Sequence, residues 1–247
     1  MTATGTSLES AGGGVAGSTE TIVAVDELSV RYHGATVLQK ISFNLQAGDF
    51  AIFVGPNGGG KTTLFRALLG LIDIDHGGIQ ICGATPAQAR TAIGYVPQRN
   101  VYDPRFPLRV AELVAMGCLG PGMRRLYDRS EEKRRVDEAL DAVGMLGRAR
   151  APIRELSGGQ LQRAFIARGL VSAPRLLILD EPVTHLDARI TASFYRLLRR
   201  LQERGLTILM STHDAGAAAQ AGDRLFEISG RLREQLIGSG SGETHNA

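Results

Sequence analysis

The stretch Gly55-Pro56-Asn57-Gly58-Gly59-Gly60-Lys61-Thr62 decides the fold, and it fits the pattern G-x-x-x-x-G-K-[ST] at every fixed position. An apolar, strand-like run, Phe50–Val54, precedes it, and a helix-like run begins at Thr63 and stops at Gly70. A strand, a glycine loop and a helix in this order are the context in which the motif binds phosphate groups. The stretch therefore predicts a phosphate-binding loop. The competing interpretation, a glycine-rich turn with a chance lysine, leaves the flanking strand and helix unexplained.

The residue types of this stretch suit phosphate chemistry. Glycine has no Cβ, so a glycine-rich loop can curl until its backbone N–H groups point inward at phosphate oxygens. The N-terminus of the following helix adds the positive end of its dipole. Lys61 supplies a mobile cation for the outer phosphates, and the hydroxyl of Thr62 can ligate Mg²⁺.

Length and composition indicate an ordinary globular protein. The 247 residues suffice for one large domain, or for a core with a smaller subdomain. The formal net charge of +3 is too small to indicate nucleic acid as a partner. Cys82 and Cys118 lack disulfide or metal-site spacing and are expected to be reduced, as in a cytosolic protein. Because no apolar run approaches the roughly 18 residues of a membrane span, and the N-terminus lacks a signal-peptide pattern, we expect a soluble protein.

The composition of the two ends differs from that of the middle of the chain. Residues 1–19 are rich in Gly, Ser, Thr and Ala, and residues 238–247 have the same character, so both are predicted to be disordered. Residues 20–237 are predicted to form the folded domain. Alternating apolar residues in Thr21–Tyr32, and again around Phe43 and Ile79, predict a small antiparallel β layer at its beginning.

Strands that alternate with helices predict an open parallel α/β sheet for the rest of the domain. The apolar runs Leu176–Leu179 and Leu206–Met210 are typical of buried parallel strands. An alanine-rich stretch, Asp214–Ala221, is predicted to be helical, and Arg224–Ile228 with Arg231–Gln235 a closing hairpin.

Residues 100–172 are predicted to form a helical subdomain inserted between strands. One of its helices is expected to begin with Ser130 as the N-cap and to end at Gly144. Acidic residues spaced along the same helix suggest that its Arg/Lys run is a solvated face rather than a nucleic-acid surface.

Two carboxylates close one of the predicted strands. Asp180 ends the run Leu176–Leu179, and Glu181 follows it. In a phosphate-loop protein, an acidic residue at the end of a neighbouring strand holds Mg²⁺. A second carboxylate can orient the attacking water or take its proton. The pair could instead cap the next helix, but the presence of Lys61 and Thr62 favours the catalytic interpretation.

A second possible anion site lies in the stretch Leu156-Ser157-Gly158-Gly159-Gln160, which opens an amphipathic helix. It offers a hydroxyl, flexible backbone N–H groups and a helix N-terminus. Taken in isolation, Ser-Gly-Gly fits an ordinary N-capped helix better than an anion site.

The order of these motifs resembles that of the nucleotide-binding subunits of ATP-binding cassette (ABC) transporters, over roughly residues 23–235. That family carries in order a phosphate loop, a glutamine loop, an LSGGQ signature, an acidic strand with a glutamate, an aspartate loop and a switch histidine. The corresponding residues here are Gly55–Thr62, Gln98, Leu156–Gln160, Leu176–Glu181, His185-Leu186-Asp187 and His213. The resemblance implies an α/β P-loop NTPase fold with a parallel-sheet core, an N-terminal antiparallel β layer and a helical subdomain.

The resemblance also implies that the chain binds ATP and Mg²⁺ and hydrolyses ATP. The residues implied to bind ATP within one chain are Tyr32, Gly55, Pro56, Asn57, Gly58, Gly59, Gly60, Lys61, Thr62 and Thr63. Thr62, Asp180 and Gln98 would bind Mg²⁺. Glu181 would be the general base or water-positioning group, Gln98 would sense the water, and His213 would contact the γ-phosphate. Tyr32, implied to stack on adenine, also fits a plain strand-end tyrosine.

In this family two subunits pair head to tail. Ser157, Gly158, Gly159 and Gln160 of one subunit close over the ATP of the other, and Asp187 bridges between them. One chain has one copy of each motif, so a homodimer, or a heterodimer with a similar subunit, is expected. The resemblance further implies an integral membrane permease as partner, an extracytoplasmic substrate-binding protein acting with that permease, and no nucleic acid. The chain would then be cytoplasmic and peripheral on the inner face of the membrane.

One segment resembles the zinc/manganese-type metal importers of the family. It comprises Tyr95–Val110 with Met116-Gly117, and Gly58–Gly60 is also common in that branch. The transported metal would not bind to this chain, because no His/Cys/Asp cluster has ligand spacing. Phe106 and Leu108 could instead merely pack the helical subdomain. His185 stands where small residues are frequent in the family, which leaves its part in the interface open.

Other functions stay open at this point. The chain could serve a different cargo, or be a soluble ABC ATPase acting on nucleic acid or ribosomes. Such soluble members usually carry two cassettes, a long coiled-coil insertion or a strongly basic extension, none of which is present here. A non-hydrolysing regulator would be expected to lack Glu181 or His213.

Overall fold

A computed structural model describes residues 20–32, 34–98, 107–119, 128–183, 187–214, 216 and 221–235. The described strands are β1 (Thr21–Tyr32), β2 (Ala35–Gln46), β3 (Phe50–Val54), β4 (His76–Ile81), β5 (Ile93–Val96), β6 (Leu176–Leu179), β7 (Thr207–Thr212), β8 (Arg224–Ile228) and β9 (Leu232–Gln235). The described α-helices are α1 (Lys61–Leu68), α2 (Val110–Ala115), α3 (Arg129–Ala142), α4 (Gly158–Leu170) and α5 (Ala188–Glu203). The segments predicted to be disordered, 1–19 and 238–247, lie outside the described residues.

The antiparallel layer predicted for the start of the domain is confirmed. Strands β2, β1 and β4 form a three-stranded antiparallel sheet in that order. Val23 and Val25 on β1 and Phe43 on β2 are buried on the inner face of this sheet. This face packs against the larger sheet, where Phe43 meets Phe53 of β3 with ring centroids 5.2 Å apart. Burial of the alternating apolar residues therefore holds the two sheets together.

The predicted parallel sheet is also confirmed. Its six strands lie in the order β5-β6-β7-β3-β8-β9, and all neighbours are parallel except β8 and β9, which form the closing hairpin. Every residue of β3, β6 and β7 is buried. Helices and the antiparallel sheet cover these strands, which explains why β3, β6 and the middle of β7 are continuous apolar runs rather than alternating ones.

Helices α2, α3 and α4 contact one another and share a hydrophobic core with one face of the parallel sheet. On the exposed side of α3, Arg134 bonds the carboxylates of Glu131 and Glu138, as expected for a solvated helix face. Helix α5 buries Phe194, Leu197, Leu198 and Leu201 on one stripe, which fixes it against the sheet.

Several boundaries differ by one or two residues from the sequence-based expectation, among them the start of α3 and the end of β7. Helix α3 begins two residues earlier than predicted, because Asp128 rather than Ser130 is the N-cap, and the Asp128 carboxylate accepts from the Ser130 N–H at 2.8 Å. Strand β7 runs two residues beyond Met210, since Ser211 and Thr212 pair with β3. The predicted helix Asp214–Ala221 falls largely outside the described residues. Among the helices that the structure does describe, none has the length and apolar character needed to cross a bilayer.

Candidate active site

Most of the predicted site residues follow strands that end at one edge of the parallel sheet. Val54, the last residue of β3, pairs with Thr212 at the end of β7. Leu179 at the end of β6 lies between Val96 of β5 and Met210 of β7. The segments that leave these carboxyl ends are therefore neighbours, at the position where open α/β sheets bind ligands.

The phosphate loop joins β3 to α1 and is fixed from behind. Gly60 has a φ of +102°, a left-handed conformation that favours glycine. A Cβ on Gly55 would lie 2.1 Å from the carbonyl oxygen of Ile228 on β8, so no other residue fits without a backbone shift. The N–H of Gly230, in the turn after β8, donates to the Gly59 carbonyl at 3.0 Å. The C-terminal hairpin thus braces the loop.

Lys61, the first residue of α1, reaches back across the loop. Its side chain is 4% exposed, and Nζ donates to the carbonyl oxygens of Gly55 at 2.8 Å and Pro56 at 3.1 Å. Nζ also lies 3.3 Å from Oε1 of Glu181, which is 9% exposed. The ammonium group of the motif and the carboxylate that follows β6 therefore form one ion pair inside the site.

These residues surround an open cavity of about 260 Å³. The described residues that line it are Pro56, Asn57, Gly58, Gly59, Gly60, Lys61, Thr62, Thr63, Gln98 and Glu181. Nε2 of Gln98 donates to Oε2 of Glu181 at 2.7 Å, which places the predicted glutamine loop against the predicted catalytic carboxylate. The cavity combines backbone N–H groups, a cation, an amide and a carboxylate at the start of a helix.

Asp180 lies behind this cavity and is 1% exposed. Burial raises the pKa of its carboxyl above the ordinary value, and hydrogen bonds from the hydroxyls of Ser211 and Thr62 act in the opposite direction. The Ser211 hydroxyl donates to Oδ1 of Asp180 at 2.7 Å. The two hydroxyls favour the ionised carboxylate, which is the form that binds a cation.

Two further residues predicted to bind ATP within one chain, His213 and Tyr32, lie outside the lining of the phosphate-loop cavity. His213 follows β7 directly and is exposed, at the same sheet edge as the phosphate loop. Tyr32 is the last residue of β1, pairs with Ala35 of β2 and is 36% exposed. Neither residue lines the cavity of the phosphate loop.

The signature residues form a separate site at the start of α4. Ser157 is the N-cap of the helix, and its Oγ accepts from the Gln160 N–H at 3.4 Å while Oε1 of Gln160 accepts from the Ser157 N–H at 3.0 Å. Gly158 is the first residue of α4, and Asp187 caps α5 by accepting from the Ile190 N–H at 2.8 Å. Of the aspartate-loop motif, His185 and Leu186 lie outside the described residues.

A second open cavity, of about 270 Å³, adjoins the signature. The described residues that line it are Ser157, Gly159, Gln160, Gln162, Arg163, Arg189, Ile190, Ser193 and Phe194. None of them lines the cavity of the phosphate loop. The predicted site residues are therefore arranged in two places on the chain.

The motifs and their arrangement agree with a comparison of the sequence with known families. A profile of the ABC transporter family matches residues 38–184, which are more than half of the chain. The chain belongs to the ABC transporter family. It carries the ATP-binding ATPase domain of that family, so it binds ATP and is an ATPase.

Individual members of the ABC transporter family are similar over most of their length. The zinc transport system ATP-binding protein TroB of Treponema pallidum is 37% identical over 210 residues, which are 85% of this chain and 79% of TroB. The manganese transport system ATP-binding protein MntA of Synechocystis is 37% identical over 86% of this chain and 83% of MntA. The solved structure of cbiO1 of Clostridium perfringens, part of the ABC transporter complex cbiONQ, superposes with a TM-score of 0.79 at 31% identity and covers 88% of this chain and 89% of its own.

One residue of this ABC ATPase site was missed by reasoning from the sequence. Ser211 is fully buried, and its hydroxyl contacts both Asp180 and the backbone of Glu181. The available signal was a serine that follows the apolar run Ile208–Met210 and stands two positions before His213. The bracing of the loop by Ile228 and Gly230 had no signal in the sequence, because it joins segments about 170 residues apart along the chain.

Proposed function

We propose that this ABC ATPase is the energy-supplying subunit of an importer for a divalent metal ion, zinc or manganese. The observation that carries the cargo assignment is the similarity, over about four fifths of their length, to ATP-binding proteins named for zinc and manganese transport. The metal would be cargo held by partner proteins. Among the described residues, no group of three or more His, Cys, Asp or Glu could hold a metal ion.

Within one chain, the cavity of the phosphate loop is assigned to the triphosphate of ATP. The glycine-rich backbone from Gly55 to Gly60 and the N-terminus of α1 offer N–H groups to phosphate oxygens. Lys61 would exchange its contact with Glu181 for the outer phosphates, which frees the Glu181 carboxylate to orient or deprotonate water. Gln98, bonded to Glu181, holds that carboxylate in place, and Tyr32 is assigned to adenine.

The oxygen atoms beside the cavity fit Mg²⁺. Mg²⁺ prefers oxygen ligands, and the buried Asp180 carboxylate with the Thr62 hydroxyl bonded to it supplies them, with Gln98 as a further ligand. When bound, Mg²⁺ neutralises charge that develops on the transferred phosphoryl group. His213, at the same edge of the sheet, is assigned to the γ-phosphate.

Hydrolysis is proposed to require two copies of the chain, as a homodimer. Support comes from the separation of the two cavities, since Ser157, Gly159 and Gln160 line a cavity that the phosphate loop does not share. In a head-to-tail pair, Ser157–Gln160 of one copy close over the ATP of the other, and Asp187 lies between them. Helix α4 then contributes a second helix N-terminus to one polyphosphate.

The remaining assignments follow from the transport role. The domain is assigned to residues 20–237, with about 100–172 as its helical subdomain. It would dock on a membrane permease from the cytoplasmic side, so that opening and closing of the ATPase pair moves the permease. An extracytoplasmic binding protein would deliver the metal to the permease.

The substitution Glu181→Gln tests this proposal in the purified chain. Removing the carboxylate removes the group that activates water, so we expect turnover to fall by about 100-fold or more. ATP should still bind, and the pair should persist as a dimer in size-exclusion chromatography with ATP. Glu203→Gln, at an exposed position near the end of α5, is the control and should retain turnover.

The same variants test the cargo in cells. Disrupting the gene should lower uptake of radioactive zinc or manganese, and the unaltered chain, but not Glu181→Gln, should restore it. Unchanged uptake of both metals together with normal ATP hydrolysis would exclude the metal assignment and favour another cargo. Co-purification with ribosomal RNA or DNA instead of a membrane protein would contradict the transport role.

A further inference from the structure

Ser211 is a buried polar residue at the centre of the site. It is the fifth residue of β7 and pairs with Phe53 of β3, the strand that leads into the phosphate loop. Its relative exposure is 0%. A buried hydroxyl is costly unless it is hydrogen-bonded, so its partners indicate why it stands there.

The direction of both hydrogen bonds of Ser211 is determined. A backbone N–H can only donate, so the Glu181 N–H at 2.9 Å must use a lone pair of Oγ. The hydroxyl proton is then available for Oδ1 of Asp180, 2.7 Å away. One hydroxyl on β7 thus holds the side chain of one acidic residue and the backbone of the next.

The chain needs support at this point because it turns sharply between the two acids. Glu181 has a φ of +46°, a conformation that residues with a side chain rarely adopt and that persists where the surroundings impose it. With this turn, Asp180 contacts Thr62 while Glu181 contacts Lys61, so two successive residues reach two successive residues of α1. In a straight strand, successive side chains would point to opposite faces of the sheet.

We propose that Ser211 is a positioning residue of the hydrolytic site, which sets the orientation of the Asp180 carboxylate and the backbone turn at Glu181 through its single hydroxyl. The inference rests on the functions proposed above for Asp180 and Glu181. Ser211 does not touch the substrate cavity itself, since it is not among the residues that line it. It acts through the two acids.

The expected consequence is a loss of turnover rather than of nucleotide binding. Without the hydroxyl, the Asp180 carboxylate loses a donor and the buried Glu181 N–H loses its acceptor, so both carboxylates are held less accurately. Lys61 keeps its hydrogen bonds to the Gly55 and Pro56 carbonyls, and the phosphate loop keeps the bond that the Gly230 N–H donates to the Gly59 carbonyl. Small displacements of reacting groups reduce the rate of the chemical step much more than they reduce ground-state binding.

Three substitutions separate positioning from general stability. Ser211→Ala removes the hydroxyl, and Ser211→Thr keeps it. Thr207→Val is a matched control, because Thr207 is also fully buried on β7 and its hydroxyl also accepts from a backbone N–H, that of Gly48 at 3.0 Å, at the opposite end of the strand. Ser211→Cys, which nearly keeps the volume and donates only weakly, carries the same prediction if Ser211→Ala does not fold.

The measurements are kcat and KM for ATP in the full chain, the thermal midpoint, and binding of a fluorescent ATP analogue with Mg²⁺ and with EDTA. For Ser211→Ala we expect kcat to fall about tenfold or more, with KM changed by about threefold at most. Binding in EDTA should stay within about twofold, and the gain in affinity from Mg²⁺ should shrink, because Asp180 is the residue affected. Ser211→Thr should recover most of kcat, and Thr207→Val should lower the thermal midpoint while keeping kcat.

The inference is overturned if Ser211→Ala keeps kcat within about twofold of the unaltered chain. It is also overturned if Thr207→Val loses as much turnover as Ser211→Ala. A folded Ser211→Thr variant that loses as much turnover as Ser211→Ala would overturn it as well. Failure of the proposed function gives a different pattern, in which Glu181→Gln itself leaves turnover unchanged. If Glu181→Gln loses turnover and Ser211→Ala does not, only the role of Ser211 is rejected.

Discussion

At the scale of single residues, the ion pair between Lys61 and Glu181 combines two opposing energies, the cost of burying two charges and their mutual attraction. Both side chains are almost fully buried, and their charged atoms lie 3.3 Å apart. Removing two charges from water costs about as much as their attraction returns, so such a pair contributes little net stability. Lys61 is also held by the Gly55 and Pro56 carbonyls, so it keeps hydrogen-bond partners when the Glu181 contact changes. The pair therefore suits a site in which the cation changes partners.

Gly55 gives a prediction at the same scale. A Cβ at this position would lie 2.1 Å from the Ile228 carbonyl oxygen, which is backbone and cannot rotate away. We expect Gly55→Ala to lower the free energy of unfolding by about 1–3 kcal/mol, the usual cost of overpacking. It should also weaken ATP binding, because the loop must move off the β8–β9 hairpin. Denaturant unfolding and nucleotide titration measure the two effects.

The control for this substitution is Gly78→Ala on β4. A Cβ at Gly78 meets no atom within 4 Å, and Gly78 does not have a positive φ. Both its stability and its nucleotide affinity should match the unaltered chain. Equal behaviour of the two alanine variants would mean that the hairpin does not brace the phosphate loop.

At the scale of helices and strands, the sequence predicts the elements better than their ends. Apolar runs predicted β6 and β7, because burial on both faces of a parallel sheet requires them. The end of β7 was missed, since Ser211 and Thr212 are polar and are buried only because of their partners on neighbouring elements. The start of α3 was missed by two residues, because Asp128 and Ser130 are both good caps and only the structure shows which one accepts the hydrogen bond.

Close approach of two elements was equally hidden in the sequence. A Cβ on Gly94 of β5 would lie 2.3 Å from the carbonyl oxygen of Gly169 on α4. At this contact, the C-terminal end of α4 packs directly against β5, the strand that leads to Gln98. The sequence contains both glycines but gives no indication that they meet, because the contact depends on how α4 crosses the sheet. Contacts of this kind, between segments far apart in the sequence, are the part of the structure that the motifs could not predict.

The capping of helices provides a prediction at this scale. Ser157→Ala removes the N-cap hydroxyl of α4, which should cost about 1 kcal/mol of stability. Asp128→Ala removes the N-cap of α3 and should cost a similar amount. If Ser157 also binds the triphosphate of a second copy, only Ser157→Ala should lose most of its ATPase activity. Thermal unfolding and steady-state hydrolysis compare the two, and equal activities would assign Ser157 a purely structural role.

At the scale of the whole molecule, most of the predicted site residues are divided between two cavities, neither of which contains all of them. The phosphate loop, Gln98 and Glu181 line one, and the signature residues Ser157, Gly159 and Gln160 line the other. The sequence predicted both sets of residues from their motifs. That they lie apart on one chain was implied only by the family resemblance, since spacing along the sequence does not determine which cavity a helix N-terminus faces.

If each active site takes one cavity from each of two copies, two inactive variants should complement each other. Lys61→Ala disables the phosphate loop, and Ser157→Ala disables the signature, so each alone should be nearly inactive. In a mixed dimer, the loop of the Ser157→Ala chain meets the signature of the Lys61→Ala chain, and both are intact. An equal mixture that pairs at random and whose sites act independently should recover up to about a quarter of the unaltered activity, because half the dimers are mixed and each has one intact site. A mixture of Lys61→Ala with the double variant should stay inactive, and a first mixture that also stays inactive would show that the two cavities do not act across a pair of chains.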